Sequence, residues 1–399
     1  MGVHERHSLF IQLEKVRQRP LISYITSTRN GAAGAIASDV VGEIVAQLDQ
    51  LPTSTKELDL LIVSNGGDPT VAWRIVSLIR ERVQKFSVLV PQAAFSAATL
   101  IALGADEIVM HPHGNLGPTD PQIHAIRPGS TDRTPFGSED LAAFLKFARE
   151  IGITDQAQLL SVFNHFCEEV GSVAVGIAAR SAHLGVSMGE KLLQLHMKAD
   201  GERAKARSIS EKLTRDFFHH GYPLSRTEAK SIGLPIADRH LEVEKLMWSI
   251  WADFRDDLEL RSHASDIEFL RKDPSAAPLF GPILHIASAP DGPAIQQPAP
   301  ILIPPVSFGR THAMVESARL RSHFVVRGTL LAARMPDLNF KMSKVVEWQG
   351  WDTVPIGGLD NKAKGVESKV RSAARSASTA RVASGGPKKP SSFTRKDSK

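Results

Sequence analysis

Two short stretches of the chain each join an apolar strand to a small-residue turn and a helix start: Leu-Ile-Val-Ser-Asn-Gly-Gly-Asp-Pro, ending at Pro69, and Val-Leu-Val-Pro-Gln-Ala-Ala-Phe-Ser-Ala-Ala-Thr, ending at Thr99. The second puts Ser96 at the bend. Amides at a helix N-terminus favour negative charge, so a serine there can act as a nucleophile beside an oxyanion site. Such a serine also needs a base and a group that orients the base. His220, in His-His-Gly-Tyr-Pro, and Asp120, in Asn-Leu-Gly-Pro-Thr-Asp-Pro-Gln, can supply these, with the amides of Gly67 and Ala97 as oxyanion donors. Each residue taken singly has a plainer reading. Ser96 would be a helix cap, Gly66-Gly67 a turn, Asp120 a structural Asp-Pro, and His220 one of 15 histidines. There is no G-x-S-x-G elbow and no G-x-x-x-x-G-K-[ST] phosphate loop, so the chain brings no ATPase of its own.

The elements that must hold these residues are read from periodicity. Leu21–Thr26, Leu58–Ser64, Phe86–Val90 and Glu107–Met110 read as strands, the second apolar throughout as in a parallel strand buried on both faces. Between them, Ser38–Leu51 carries Val40, Val41, Ile44, Val45, Leu48 and Leu51 on one face, with Ser38 or Asp39 as cap. Asp68-Pro69 opens the next helix, and Ala97–Leu103 forms a small-residue helix. This alternation predicts an α/β fold with right-handed crossovers. Glu139–Phe218 is helical almost throughout, with a small-residue stretch, Val173–Leu184, suited to close packing. Ser225–Ile236 reads as a helical turn beginning at Thr227, then a strand.

These readings divide the chain into a core over residues 1–240, with an inserted helical layer at 139–218, and a helical extension at 241–273. Nine prolines between Pro274 and Pro305 predict an extended linker over 274–305. His323–Ala333 and Lys341–Trp348 predict a β-hairpin in a small unit over 306–360. Residues 361–399 hold eleven Lys and Arg against two acidic residues; removing that +9 from the chain's +5 leaves −4 for the rest. A tail rich in Ser, Ala and Gly buries too little to offset its ordering entropy, so disorder is expected, with weak polyanion binding as its candidate partner interaction.

With 399 residues, 42% of them hydrophobic, the chain can build a sizeable core. The single cysteine, Cys167, excludes an internal disulfide framework and a Cys-rich zinc site, and suits a reducing compartment. No apolar run reaches membrane-spanning length, so a soluble, cytoplasmic protein without membrane association, cofactor or metal is expected.

A resemblance sharpens the reading. Ser64-Asn-Gly-Gly-Asp, then Ala94-Phe-Ser-Ala-Ala-Thr-Leu-Ile-Ala-Leu-Gly-Ala-Asp-Glu-Ile-Val-Met, then Leu116-Gly-Pro-Thr-Asp-Pro-Gln resemble the Clp/crotonase superfamily. Within it the match is to the serine dehydrogenase proteinase family, related to the Clp proteolytic subunit and to signal peptide peptidase A. Leu213 through His220-Gly-Tyr-Pro-Leu and Glu228-Ala-Lys-Ser-Ile-Gly-Leu-Pro extend it, so that it covers roughly Arg19 to Asp238. The resemblance implies a Clp/crotonase-like parallel sheet core with the helical layer inserted. It further implies peptide hydrolysis through an acyl-enzyme, with Ser96 as nucleophile, Asp120 as orienter and His220 as base, and a homo-oligomer acting on polypeptides. Where relatives commonly carry Ser-Ala-Gly, this chain has Ser96-Ala97-Ala98. Signal peptide peptidase A relatives use a lysine base, for which Lys146, Lys191, Lys198 and Lys205 are the candidates here. An acyl-CoA enzyme or a catalytically silent scaffold on the same core are the remaining alternatives.

Overall fold

The computed structural model describes residues 3–126, 133–136, 138–217, 219–281 and 300–356. The expected basic tail and the middle of the proline-rich stretch lie outside these residues. By contacts the chain forms one unit over Met1–Thr353, with a second from Val354.

The first half follows the strand–helix alternation. A leading helix α1 (Val3–Arg17) precedes β1 (Leu21–Thr26), α2 (Val40–Asp49), β2 (Glu57–Val63), α3 (Pro69–Arg82) and β3 (Lys85–Val90). Then come β4 (Ala93–Ala94), α4 (Ala97–Leu103), β5 (Glu107–Met110), β6 (Asn115–Leu116) and a small hairpin of β7 (Ile123–Ile126) and β8 (Arg133–Phe136). The helical layer comprises α5 (Ser138–Glu150), α6 (Gln156–Val170), α7 (Ser172–Leu193) and α8 (Glu202–Arg215). After it run β9 (Leu224–Ser225), α9 (Arg226–Ser231), α10 (Leu241–Asp257), α11 (Asp266–Lys272) and a 3-10 helix over Pro274–Phe280. β10 (Ile301–Leu302), β11 (Val306–Ser317), β12 (Leu320–Arg334) and β13 (Phe340–Pro355) end the described chain.

β1, β2, β3 and β5 pair in parallel, and β2 is buried from Leu58 to Val63, as its unbroken apolar run requires. One face is covered by α2, α3, α4, α7 and α8 through Ile44, Ile75, Ile101, Leu192 and Leu213. On the other face α1 and α10 supply Phe10, Leu13, Met247, Ile250 and Phe254. Every residue of α4 is buried, consistent with a helix that is apolar all round. Asp68 caps α3 as expected, accepting from Thr70 N at 2.8 Å. Asp39 stands at the start of α2 but caps nothing; its carboxylate takes Trp351 Nε1 at 2.8 Å. The cap of α9 is Ser225 rather than Thr227, and Ile236 makes only an isolated bridge to Ile108.

The small residues of α7 pack closely within the expected stretch at Ala178 and Ala182, and again beyond it. An added Cβ at Gly189 would fall 2.3 Å from Ser210 Oγ, so α8 lies directly on this glycine, whereas Val173 is exposed.

Beyond residue 240 the structure corrects the expected division. β11 pairs antiparallel with β1 and carries the hairpin of β12 and β13 into one eight-stranded sheet, so the strands after residue 306 extend the core rather than form a unit of their own. Residues 274–280, expected in the linker, form the 3-10 helix and bury Ala276 and Leu279 against Val306, Phe308 and Leu330. The signal missed was β11, whose burial depends on pairing with a strand nearly 300 residues away in sequence.

A buried ion network ties this extension to the core. The Arg6 side chain, 1% exposed, donates to Glu316 Oε2 at 2.9 Å and Asp257 Oδ2 at 2.8 Å, pairs with Asp253, and lies over the Phe254 ring. Burial would raise the Glu316 carboxyl, but the His323 hydrogen bond and the Arg6 and Arg321 charges outweigh it and hold the group down at about 2. Removing one partner of such a network leaves the others buried and unpaired. Arg6→Ala should therefore lower the unfolding free energy by about 3–5 kcal/mol in urea titration at neutral pH. Because the Glu316 carboxyl is depressed when folded, its contribution is present at neutral pH and fades as pH falls from roughly 4 toward 2. An Arg6→Ala protein as stable as the parent would show that the network holds nothing together.

Candidate active site

Ser96 starts α4 with φ 52° and ψ −117°, a conformation that a residue bearing a Cβ rarely adopts. Its hydroxyl makes no cap hydrogen bond to the helix, so the plain reading of this serine as an N-cap fails. Backbone outliers of this kind cost of order 1–3 kcal/mol and persist only where the surroundings impose them. Here the surroundings can be named. Ala93 O accepts from Ser64 N at 2.9 Å, and Phe95 N donates to Ser64 O at 2.9 Å, which pins both sides of the turn to the end of β2.

A second constraint comes from a three-stranded sheet of β4, β6 and β9, in which β4 and β6 are parallel and β9 is antiparallel to β6. Ser96 follows β4, Asp120 follows β6 and His220 precedes β9. Thr99, fully buried in α4, locks the first two together. Its hydroxyl accepts from Gly117 N at 3.1 Å and lies 2.7 Å from Ala94 O and 2.9 Å from Gly117 O. Thr119 N donates to Leu213 O at 2.9 Å, so the Asp120 loop is also moored to the helical layer.

Asp120 and His220 meet: His220 Nδ1 lies 2.8 Å from Asp120 Oδ1. Gln122 Nε2 donates to the other carboxylate oxygen at 2.7 Å. The Asp120 side chain is 17% exposed and that of His220 37%, so the pair is half-buried and open to solvent on the imidazole side. With Nδ1 facing the carboxylate, Nε2 is left to take a proton. The Asp120 hydrogen bond, opposed by burial, raises the His220 pKa above its usual 6.5. No hydrogen bond joins Ser96 to His220 among the described residues.

The glycine turn lies against the serine. A Cβ on Gly66 would fall 2.6 Å from Ser96 Cβ. Gly67, at φ +151°, bridges Ile36: Ile36 N donates to Gly66 O at 2.8 Å and Asp68 N to Ile36 O at 2.9 Å. This parallel bridge engages the groups on either side of Gly67 and turns its own amide away from Ile36. Among the described residues neither the Gly67 nor the Ala97 amide has a hydrogen-bond partner. Ala98 is an ordinary residue of α4, with its amide donating to Phe95 O at 3.0 Å, so its methyl imposes no special backbone conformation.

The neighbours of the four candidate lysines lie elsewhere. Lys146 faces Glu150, Lys191 Nζ sits 3.9 Å from the Trp73 ring centroid, Lys198 lines a cleft with Thr53–Lys56, and Lys205 lies against Gly233. Sequence reasoning missed Ser64, whose buried hydroxyl accepts from Thr26 Oγ1 at 2.7 Å and from Gly66 N at 3.0 Å, shaping the glycine turn. It missed Thr99 and Ile36 as well. A lone small polar residue ending an apolar strand or inside an apolar helix was the available signal.

Residues 38–132 match the family of ClpP-like SDH-type serine proteinases. The resemblance drawn from the motifs is thereby shown over a stretch that holds Gly67, Ser96, Ala97 and Asp120 but stops short of His220. Two uncharacterised proteins of Methanocaldococcus jannaschii are 26% and 28% identical over 194 and 181 residues, which cover 49% and 45% of this chain. The chain spans only 56% and 54% of their lengths. Among solved structures, a membrane-bound stomatin-specific protease aligns at 15% identity with TM-score 0.34, covering 56% of this chain and 82% of that one. ClpP1 from Listeria monocytogenes aligns at 13% identity with TM-score 0.29, covering 58% and 99%. Among the described residues no helix is long and apolar enough to cross a membrane.

The glycine turn offers a specific test. Gly66→Ala places a methyl into Ser96 and Phe95 O, at φ +106°, and should abolish the turnover proposed below for Ser96 while costing about 1–3 kcal/mol of stability. Gly176→Ala, inside α7 with nothing within 4 Å of the new methyl, should leave turnover unchanged and stabilise by up to about 1 kcal/mol. Equal turnover in both variants would detach Gly66 from the site.

Proposed function

We propose that this protein is a serine peptidase that hydrolyses peptide bonds through an acyl-enzyme on Ser96. Ser96 Oγ attacks the carbonyl carbon as His220 Nε2 takes its proton. The amides of Gly67 and Ala97 hold the oxyanion, and the imidazolium returns its proton to the leaving amine. A water then attacks the ester, again with His220 as base, and Ser96 is regenerated. Asp120 keeps Nδ1 protonated and stabilises the imidazolium.

The observation that carries this reading is the 2.8 Å contact between His220 and Asp120, formed by residues 100 positions apart. It stands beside a serine held at positive φ with its hydroxyl unused by the helix. The Ser-Lys alternative lacks a comparable observation, since the neighbours of its four candidates lie away from Ser96. Catalytic hydrogen bonds are often long before substrate binds, and here the Ser96–His220 bond is the one to form with substrate. A cytoplasmic setting, independence of ATP and homo-oligomeric assembly go with the proposal.

The test is hydrolysis of casein and fluorogenic peptides by purified variants checked for folding by circular dichroism. Ser96→Ala and His220→Ala should each lose at least about a thousandfold in kcat, without adding further when combined, because the residues act as a unit. Asp120→Asn should be severe but incomplete, since the amide favours the wrong tautomer. Because the His220 pKa is raised and the neutral imidazole is the base, kcat/KM should rise with pH through a midpoint above 6.5. A folded His220→Ala variant that keeps its activity, with loss on changing one of Lys146, Lys191, Lys198 or Lys205, would overturn the triad.

A further inference from the structure

The strand that joins the C-terminal hairpin to the core is interrupted at one residue. β11 pairs with β1 on one side and β12 on the other, and opposite β12 its register steps from Thr311–Val325 to Ala313–Phe324, which leaves His312 as the extra residue of a bulge. Bulges turn a residue out of its ladder and are common next to active sites. His312 turns to the loop between β1 and α2, residues 27–36. Its carbonyl accepts from Ser27 N at 2.8 Å, and its Nδ1 donates to Ala33 O at 2.9 Å. Gly34 lies against the same carbonyl, so closely that a Cβ there would overlap His312 O. The Gly34 amide donates to Ser27 O at 2.7 Å and closes the loop on itself.

The loop ends on the glycine turn. Ile36, buried at its end, bonds Gly66 O through its amide and Asp68 N through its carbonyl, and a Cβ on Gly67 would overlap its backbone. The Gly67 amide has no partner among the described residues, so its aim is set by the groups on either side. Ser64 Oγ holds Gly66 N from the β2 side, and Ile36 holds Gly66 O and Asp68 N from the other. Only Ala35 separates Gly34 from Ile36, and planar peptides of fixed length pass a displacement of one to the other. An oxyanion donor works by being aimed before the reaction begins, so whatever fixes Ile36 bears on the chemistry.

We propose that the His312 bulge braces the glycine turn: acting through Gly34 and Ile36, it fixes the aim of the Gly67 amide. The catalytic consequence rests on the reaction proposed at Ser96. His312, Gly34 and Ile36 touch no reacting atom and are positioning residues. The brace gives the C-terminal strands a part in turnover as well as in the sheet.

Two glycine variants of the full chain with the same steric insult provide the test. Gly34→Ala drives a methyl into His312 O, whereas Gly328→Ala drives one into Val345 O, in the same sheet but between β12 and β13. His312→Ala removes the bond to Ala33 O without a clash, and decides the matter if Gly34→Ala does not fold. Amide exchange in the peptide spanning residues 64–69 should be at least about tenfold faster in Gly34→Ala, faster by less in His312→Ala, and at the parent rate in Gly328→Ala. Per folded molecule, kcat for a fluorogenic peptide should fall at least about tenfold in Gly34→Ala and less in His312→Ala. KM and the pH midpoint of kcat/KM should stay put, because neither change touches His220 or Asp120. Gly328→Ala should keep the parent kcat. Equal losses of kcat in the two glycine variants would reduce the brace to general stability and overturn the proposal, as would parental exchange in the folded Gly34→Ala and His312→Ala proteins. A parent that hydrolyses no peptide, while exchange responds as described, would overturn the reaction at Ser96 and leave the brace standing.

Discussion

The site depends on three short backbone pairings. β4, β6 and β9 are each two residues long, yet through them the Ser96, Asp120 and His220 segments share one frame. The first two stand close in sequence, but His220 arrives after four helices, and only the antiparallel pairing of Leu224 with Leu116 returns it to Asp120. The parallel sheet beneath supplies rigidity. Just past its β2 stands Ser64, whose amide and carbonyl clasp β4 and whose hydroxyl shapes the glycine turn. A single buried residue thus links the proposed nucleophile and the proposed oxyanion amides.

Two buried polar side chains show how a group removed from water is matched. Thr99 lies within a buried helix, and its hydroxyl meets Ala94 O, Gly117 O and Gly117 N, reinforcing the Gly117 N to Ala94 O hydrogen bond that joins the two loop ends. Arg6 is equally enclosed and meets three carboxylates. The strain runs the other way: Ser96 is held at positive φ and its hydroxyl is spared from capping. With no capping bond to make, that hydroxyl is left for the reaction proposed for it.

Much of this was legible in the sequence, for physical reasons that also mark the limits. Leu21–Thr26, Ala97–Leu103 and Glu107–Met110 were read to the residue, because buried parallel strands and a wholly buried helix are dominated by apolar residues and bounded by turn signals. The Asp68 cap followed from its chemistry. The Asp39 cap failed because a distant indole took the carboxylate. β11 went unread, and with it the place of the C-terminal strands in the sheet, since its pairing to β1 leaves no local signature. At the site, motif order brought Ser96, Asp120 and His220 forward. Their grouping around β4, β6 and β9 was beyond any reading of spacing, because two-residue strands have no periodicity to detect.

The most direct measurement of the central claim is covalent: incubate the folded protein with a fluorophosphonate at pH 8 and map the adduct by peptide mass spectrometry. A nucleophile activated by His220 predicts one adduct, on Ser96, formed far more slowly in the His220→Ala protein. A folded protein that takes no label, or takes it at another residue, would contradict the account.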